Sequence, residues 1–118
     1  MGLTETEARA QGVQYEKATF PWAASGRALT LGRPEGVTKL LFETGSRRLL
    51  GAGITGVGAG ELIAETVHAL EMGSDAEDIA LTVHPHPTLT ETVAFAAEVA
   101  AGTITDLMAP RGARRRAG

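Results

Sequence analysis

The chain has 118 residues and a mass of 12.2 kDa, near the commonest size of a single domain. Hydrophobic residues make up 43% and charged residues 21%, the balance of a packed core rather than of a disordered chain. No apolar run approaches the roughly 20 residues that span a bilayer, no signal-peptide pattern opens the chain, and zero cysteines exclude disulfides, thiolate metal sites and a redox dithiol of its own.

A cytoplasmic domain without membrane attachment is therefore expected. Aromatics are only 4%, so the core must be built mainly from Ala, Val, Leu and Ile. Thr4 and Glu7 have the spacing of a capping box and open a short helix that Gly12 stops. Residues 13–20 read as a strand, ended by Phe20-Pro21-Trp22, and residues 23–35 as an irregular connection. Two β-rich runs, 37–42 and 48–55, flank Thr44-Gly45-Ser46 and predict a hairpin.

After Gly56 the apolar period changes from 2 to 3.6, and helices are predicted near 61–72, 75–81 and 89–101. In the first of these Leu62, Ile63, Thr66, Val67 and Leu70 share a face, with Glu61, Glu65 and His68 opposite. Ser74 with Glu77, and Thr88 with Glu91, have the spacing of two further capping boxes. In the last helix Leu89, Thr92, Val93, Phe95, Ala96 and Val99 form a broad apolar face, with Glu91 and Glu98 on the other side. Strands followed by helices predict an α+β fold, an antiparallel sheet of three to five strands covered by helices.

The formal net charge of −3 conceals an asymmetry. Between Leu49 and Pro110 there are nine carboxylates and no Lys or Arg, whereas the last eight residues hold four arginines and no acid. An acidic body disfavours nucleic acid and suits a basic protein partner, or simply solvates the surface. The basic tail reads as solvated, with nucleic-acid binding the weaker alternative.

Two motifs carry possible chemistry. Gly51-Ala52-Gly53-Ile54-Thr55-Gly56 matches the dinucleotide fingerprint, but Ile54-Thr55 continues a strand and no βαβ unit follows. A strand is the better reading. His84-Pro85-His86-Pro87-Thr88-Leu89-Thr90-Glu91 is more informative: the prolines stiffen the approach to a helix. Helical side chains lean toward the N-terminus, so Glu91 reaches back to His86. That pairing fixes an imidazole tautomer and suits a general base. The bland alternative is that Glu91 only completes a cap and both histidines are loop residues. A metal pair of His84 and His86 is less favoured, because i, i+2 spacing on a rigid turn points the rings apart.

His86-Pro87-Thr88 with Glu91 resembles the signature of the C-terminal dimerisation domain of the flavin-dependent pyridine nucleotide-disulfide oxidoreductases. The doubled H-x-H-P-T-L-x-E form is similar to the dihydrolipoamide dehydrogenase branch of that family. So are Gly2-Leu3-Thr4-Glu5, Ala24-Ser25-Gly26-Arg27-Ala28, Leu50-Gly51-Ala52, Glu61-Leu62-Ile63 and the ending Gly102-Thr103-Ile104-Thr105-Asp106-Leu107 with its basic tail. The resemblance covers nearly the whole chain and implies an interface domain over 1–110 with a tail over 111–118. It further implies that His86 is the base for a dihydrolipoamide thiol, Glu91 its orienting carboxylate and His84 a supporting residue. The His86-Pro87 backbone would face the flavin of the opposite subunit, and the His86-Pro87 bond is expected to be cis.

The same resemblance implies a homodimer, FAD and NAD held by upstream domains of a longer enzyme, and a basic subunit-binding domain of a 2-oxo acid dehydrogenase complex as a further partner. Those domains and the redox cysteine pair are missing here, as in an excised domain or a truncated gene. The isolated chain is expected to be inactive and to bind neither nucleotide. The alternatives are a self-associating module with no chemistry and the same domain from a glutathione-reductase-like enzyme.

Overall fold

Period-2 patterning builds the sheet. In a computed structural model, which describes residues 1–25, 27, 32 and 35–102, β1 (Tyr15–Pro21), β2 (Val37–Glu43) and β3 (Leu49–Thr55) form an antiparallel sheet in that order. Phe20 pairs with Thr38, and Leu40 with Ala52, so Phe20, Ala18, Leu40, Phe42, Leu49 and Ala52 are all buried. The register slips between Leu41 and Phe42, beside the predicted turn. Most of the connection predicted over 23–35, and the tail with residues 103–110, lie outside the described residues.

Before the sheet, α1 (Glu5–Ala10) carries the predicted capping box: Thr4 Oγ1 accepts from Glu7 N–H, and Glu7 Oε1 accepts from Thr4 N–H, each at 3.1 Å. Glu5 ties α1 to the outer face of the sheet, with Lys39 at 3.2 Å and Lys17 at 3.5 Å. Burial acts to raise the Glu5 carboxyl, but the Lys39 hydrogen bond and the two lysine charges outweigh it and hold it below the usual carboxylate range.

The glycine motif is strand. Gly51 and Gly53 lie inside β3, which pairs antiparallel with β2, and the next helix begins only at Ala59. Each outer glycine has a packing reason. A Cβ on Gly51 would strike the Leu3 carbonyl, and one on Gly56 (φ +135°) would strike the Trp22 ring.

Helix α2 (Ala59–Glu71) packs on β3, α3 (Ala76–Leu81) packs on α4, and α4 (Glu91–Ala101) lies across β1 and β2. Four details depart from the sequence expectation. On α2 the buried face is Leu62, Thr66 and Ala69, while Val67 is 42% exposed. The capping box of α3 is Asp75 with Asp78, not Ser74 with Glu77. Its cause is tertiary: the Ser74 carbonyl accepts from Leu49 N–H and Ala76 N–H donates to Arg47 O, which keeps Asp75 extended and starts the helix one residue later. Helix α4 begins at Glu91 rather than 89, because the Thr88 hydroxyl donates to Pro85 O instead of capping, and Thr90 takes the N-cap position without a side-chain bond to the helix. Finally, α4 is buried almost all round, Glu91 included, and Phe95, expected on the apolar face, is partly exposed on the same side as Glu98.

Small side chains permit that burial. Ala94, Ala96, Ala97 and Ala100 let α4 lie close on the sheet, and Phe95 meets Phe20 with ring centroids 4.9 Å apart. A buried run of donors fixes its first turn. Trp22 Nε1–H donates to Thr38 Oγ1 (3.1 Å), Thr38 donates to Thr92 Oγ1 (2.8 Å), and Thr92 donates to Leu89 O (2.7 Å). Each proton has one destination. Thr38→Val would strand the indole N–H in the core, at a cost of about 1–3 kcal/mol. Urea unfolding followed by the single tryptophan should show a lowered midpoint with an unchanged slope; an unchanged midpoint would contradict the relay.

Candidate active site

Residues 82–90 link α3 to α4 and carry both candidate histidines. Their exit from α3 is held by Thr82, whose N–H donates to Ile79 O (3.2 Å) and whose hydroxyl donates to Asp78 O (2.8 Å). At the far end Thr88 Oγ1 donates to Pro85 O at 2.6 Å and accepts from Thr90 Oγ1 at 2.9 Å. The His86-Pro87 peptide between them is cis, as expected.

His86 and Glu91 meet. Nδ1 of His86 lies 3.0 Å from both Oε1 and Oε2 of Glu91, and Oε1 also accepts from Thr88 N–H at 2.9 Å. The two readings left open by the sequence are therefore both realised in one carboxylate. Glu91 completes half of a cap and holds the ring. An ionised carboxylate only accepts, so Nδ1 must carry the hydrogen, which leaves Nε2 with its lone pair. The His86 side chain is 77% exposed while that of Glu91 is 12% exposed. A basic nitrogen thus faces outward on a buried, oriented carboxylate, the pairing that general bases use.

His84 is turned the other way. Its ring is 8% exposed; Nδ1 lies 2.8 Å from Thr82 O and Nε2 lies 2.5 Å from Oε2 of Glu65 on α2. The two histidines do not converge on one point. Glu65 was not a candidate on sequence grounds, since it lies 19 residues away and reads as helix surface. Only the tertiary packing of α2 brings it in. Among the described residues no cluster of three His, Asp or Glu side chains is placed to hold a metal, and no helix is long and apolar enough to cross a membrane.

The double use of Glu91 separates two substitutions. Gln keeps an oxygen for Thr88 N–H and offers an amide to the ring, whereas Ala takes the acceptor from the half-buried Thr88 N–H, at about 1–3 kcal/mol, and leaves the exposed ring to water. Glu91→Ala should lower the urea midpoint clearly and Glu91→Gln by less than half as much. Equal losses would contradict the bonding described.

Comparison with known proteins agrees with this architecture. The pyridine nucleotide-disulphide oxidoreductase dimerisation domain matches residues 1–97. A dihydrolipoyl dehydrogenase from Vibrio cholerae is 58% identical over 107 residues, covering 91% of this chain and 22% of that protein. One from Thermus scotoductus is 52% identical over 98 residues, covering 83% of this chain and 21% of that protein. Among solved structures, the HOCl-induced flavoprotein disulfide reductase RclA from Escherichia coli superposes with a TM-score of 0.78 at 27% identity, covering 82% of this chain and 22% of that one. The chain spans about a fifth to a quarter of the length of such relatives. It belongs to the pyridine nucleotide-disulphide oxidoreductase dimerisation-domain family.

Proposed function

We propose that this chain is the interface part of a dihydrolipoyl dehydrogenase and supplies the base for its thiol–disulfide step. The observation that carries this reading is the outward Nε2 of His86 above a buried Glu91. In that role Nε2 takes the proton of a dihydrolipoamide thiol, and the thiolate left behind attacks a disulfide held elsewhere in the enzyme. Glu91 keeps the ring in the Nδ1–H tautomer and stabilises the imidazolium that forms; Thr88 N–H keeps the carboxylate in place. In the reverse direction the imidazolium returns the proton. His84 supports the segment that carries His86.

The glycines of β3 do not suit a nucleotide, since β3 is antiparallel and no helix opens against Gly51–Gly56. FAD and NAD belong to the domains outside this chain, where they supply the electron acceptors. What this chain offers the flavin is the exposed rim of His86 and Pro87, which fits contact with the cofactor of an opposite subunit. A homodimer follows, with residues 1–110 as interface domain and 111–118 as a basic tail, and the reading includes a cytoplasmic location. Val67, Met72, Leu81 and Val83, all exposed, are apolar surface available to such contacts. The acidic stretch 49–110 suits a basic subunit-binding domain of a 2-oxo acid dehydrogenase complex.

A chimaera in which this chain replaces the matching segment of the Vibrio cholerae relative tests the proposal. His86→Gln should slow flavin reduction by dihydrolipoamide by about 10²–10⁴-fold and leave flavin reduction by NADH largely intact. Equal effects on the two half-reactions, or none on the first, would contradict it.

A further inference from the structure

Residues 83–87 have little to hold them down. Val83 is 94% exposed, and Pro85, His86 and Pro87 are exposed as well. The His84 ring is the inward side chain of this run, and it reaches Glu65 on α2. Two residues further on is the nitrogen that the proposed chemistry needs. A loop whose apolar contacts are this few keeps its geometry only through specific bonds.

We propose that Glu65 is a positioning residue for the base, acting through His84 to hold the loop at the orientation where His86 Nδ1 meets Glu91. The inference deepens the reading of His86 as a base and rests on it. Each step of the linkage is a short polar contact. Glu65 Oε2 to His84 Nε2 is 2.5 Å, His84 Nδ1 to Thr82 O is 2.8 Å, and Thr82 Oγ1 to Asp78 O is 2.8 Å. The ring is therefore clamped between α2 on one side and the end of α3 on the other. The His86–Glu91 contact forms at the opposite end of the same stiff Pro-flanked run. Without the Glu65 contact the run loses its tie to α2 and keeps only contacts to its own flanks, at Thr82, Thr88 and Glu91, so Nε2 of His86 samples positions away from a reacting thiol.

The chemistry of the pair allows a rescue. A carboxamide at 65 can donate from its NH2 group to Nε2 of a neutral His84 ring whose Nδ1–H still donates to Thr82 O. The tether is then kept without the charge. An Ala at 65 removes it. In the chimaeric enzyme, Glu65→Ala should slow flavin reduction by dihydrolipoamide about tenfold, less than the roughly 100-fold that a full 1 Å misplacement can cost, with the NADH-driven half-reaction within twofold of the unsubstituted enzyme. Glu65→Gln should recover most of the loss. His68→Ala, one turn along the same helix and exposed, should change neither.

Three outcomes would overturn the inference. In one, Glu65→Ala keeps the thiol half-reaction within twofold while His86→Gln loses it, so the base stands and the tether falls. In another, Glu65→Ala slows both half-reactions alike and Gln does not rescue, the behaviour of a merely structural residue. In the third, His86→Gln retains full rate, so the reading of the base fails and the positioning role with it. If Glu65→Ala does not accumulate, His84→Gln removes the same link from the other side and is read by the same criteria.

Discussion

One carboxylate organises the functional end of this fold. Glu91 is the first residue of α4, nearly buried, and its two oxygens receive the imidazole N–H of His86 and the backbone N–H of Thr88. A buried carboxylate has a large desolvation cost unless donors surround it, so those two bonds are a condition of its burial. They also dictate the tautomer of an exposed ring. The local structure and the chemistry share a single constraint, and neither can be altered alone.

That constraint depends in turn on where α4 sits. Its alanines allow close approach to β1 and β2, and the Trp22–Thr38–Thr92–Leu89 run pins its first turn to the sheet. The sheet is thus more than a platform. Trp22, fully buried at the end of β1, sets both the start of α4 through Thr38 and the shape of Gly36 and Gly56 around its ring. A helix held this way presents Glu91 at a fixed height above the core, and the loop before it needs only to bring His86 down onto it.

Local spacing made much of this legible. The first capping box, the hairpin, the antiparallel sheet and the approach of Glu91 to His86 all depend on residues close in sequence, where period and rotamer direction suffice. Failures came where distant backbone intervened. Ser74 reads as a better cap than Asp75 until β3 extends the chain across it. Val67 fits the apolar stripe of α2, but the sheet takes up Ala69 instead, because a helix against a flat neighbour buries the side that meets it and not the most apolar one. Thr88 looked like a cap by spacing; Pro85 O competed for its hydroxyl and won. Glu65 had no local mark at all, since its partner lies 19 residues further along the chain.

The tautomer of His86 is the centre of the account, and it can be observed without turnover. A long-range ¹H–¹⁵N correlation spectrum of the ring nitrogens, taken on the chain at a pH where the imidazole is neutral, distinguishes the two neutral forms directly. Nδ1 should show the shift of a protonated nitrogen and Nε2 that of an unprotonated one, with the pattern reversed in Glu91→Gln. A neutral ring protonated on Nε2, or an averaged mixture of the two forms in the unsubstituted chain, would contradict the hydrogen-bonded base on which the proposed function rests.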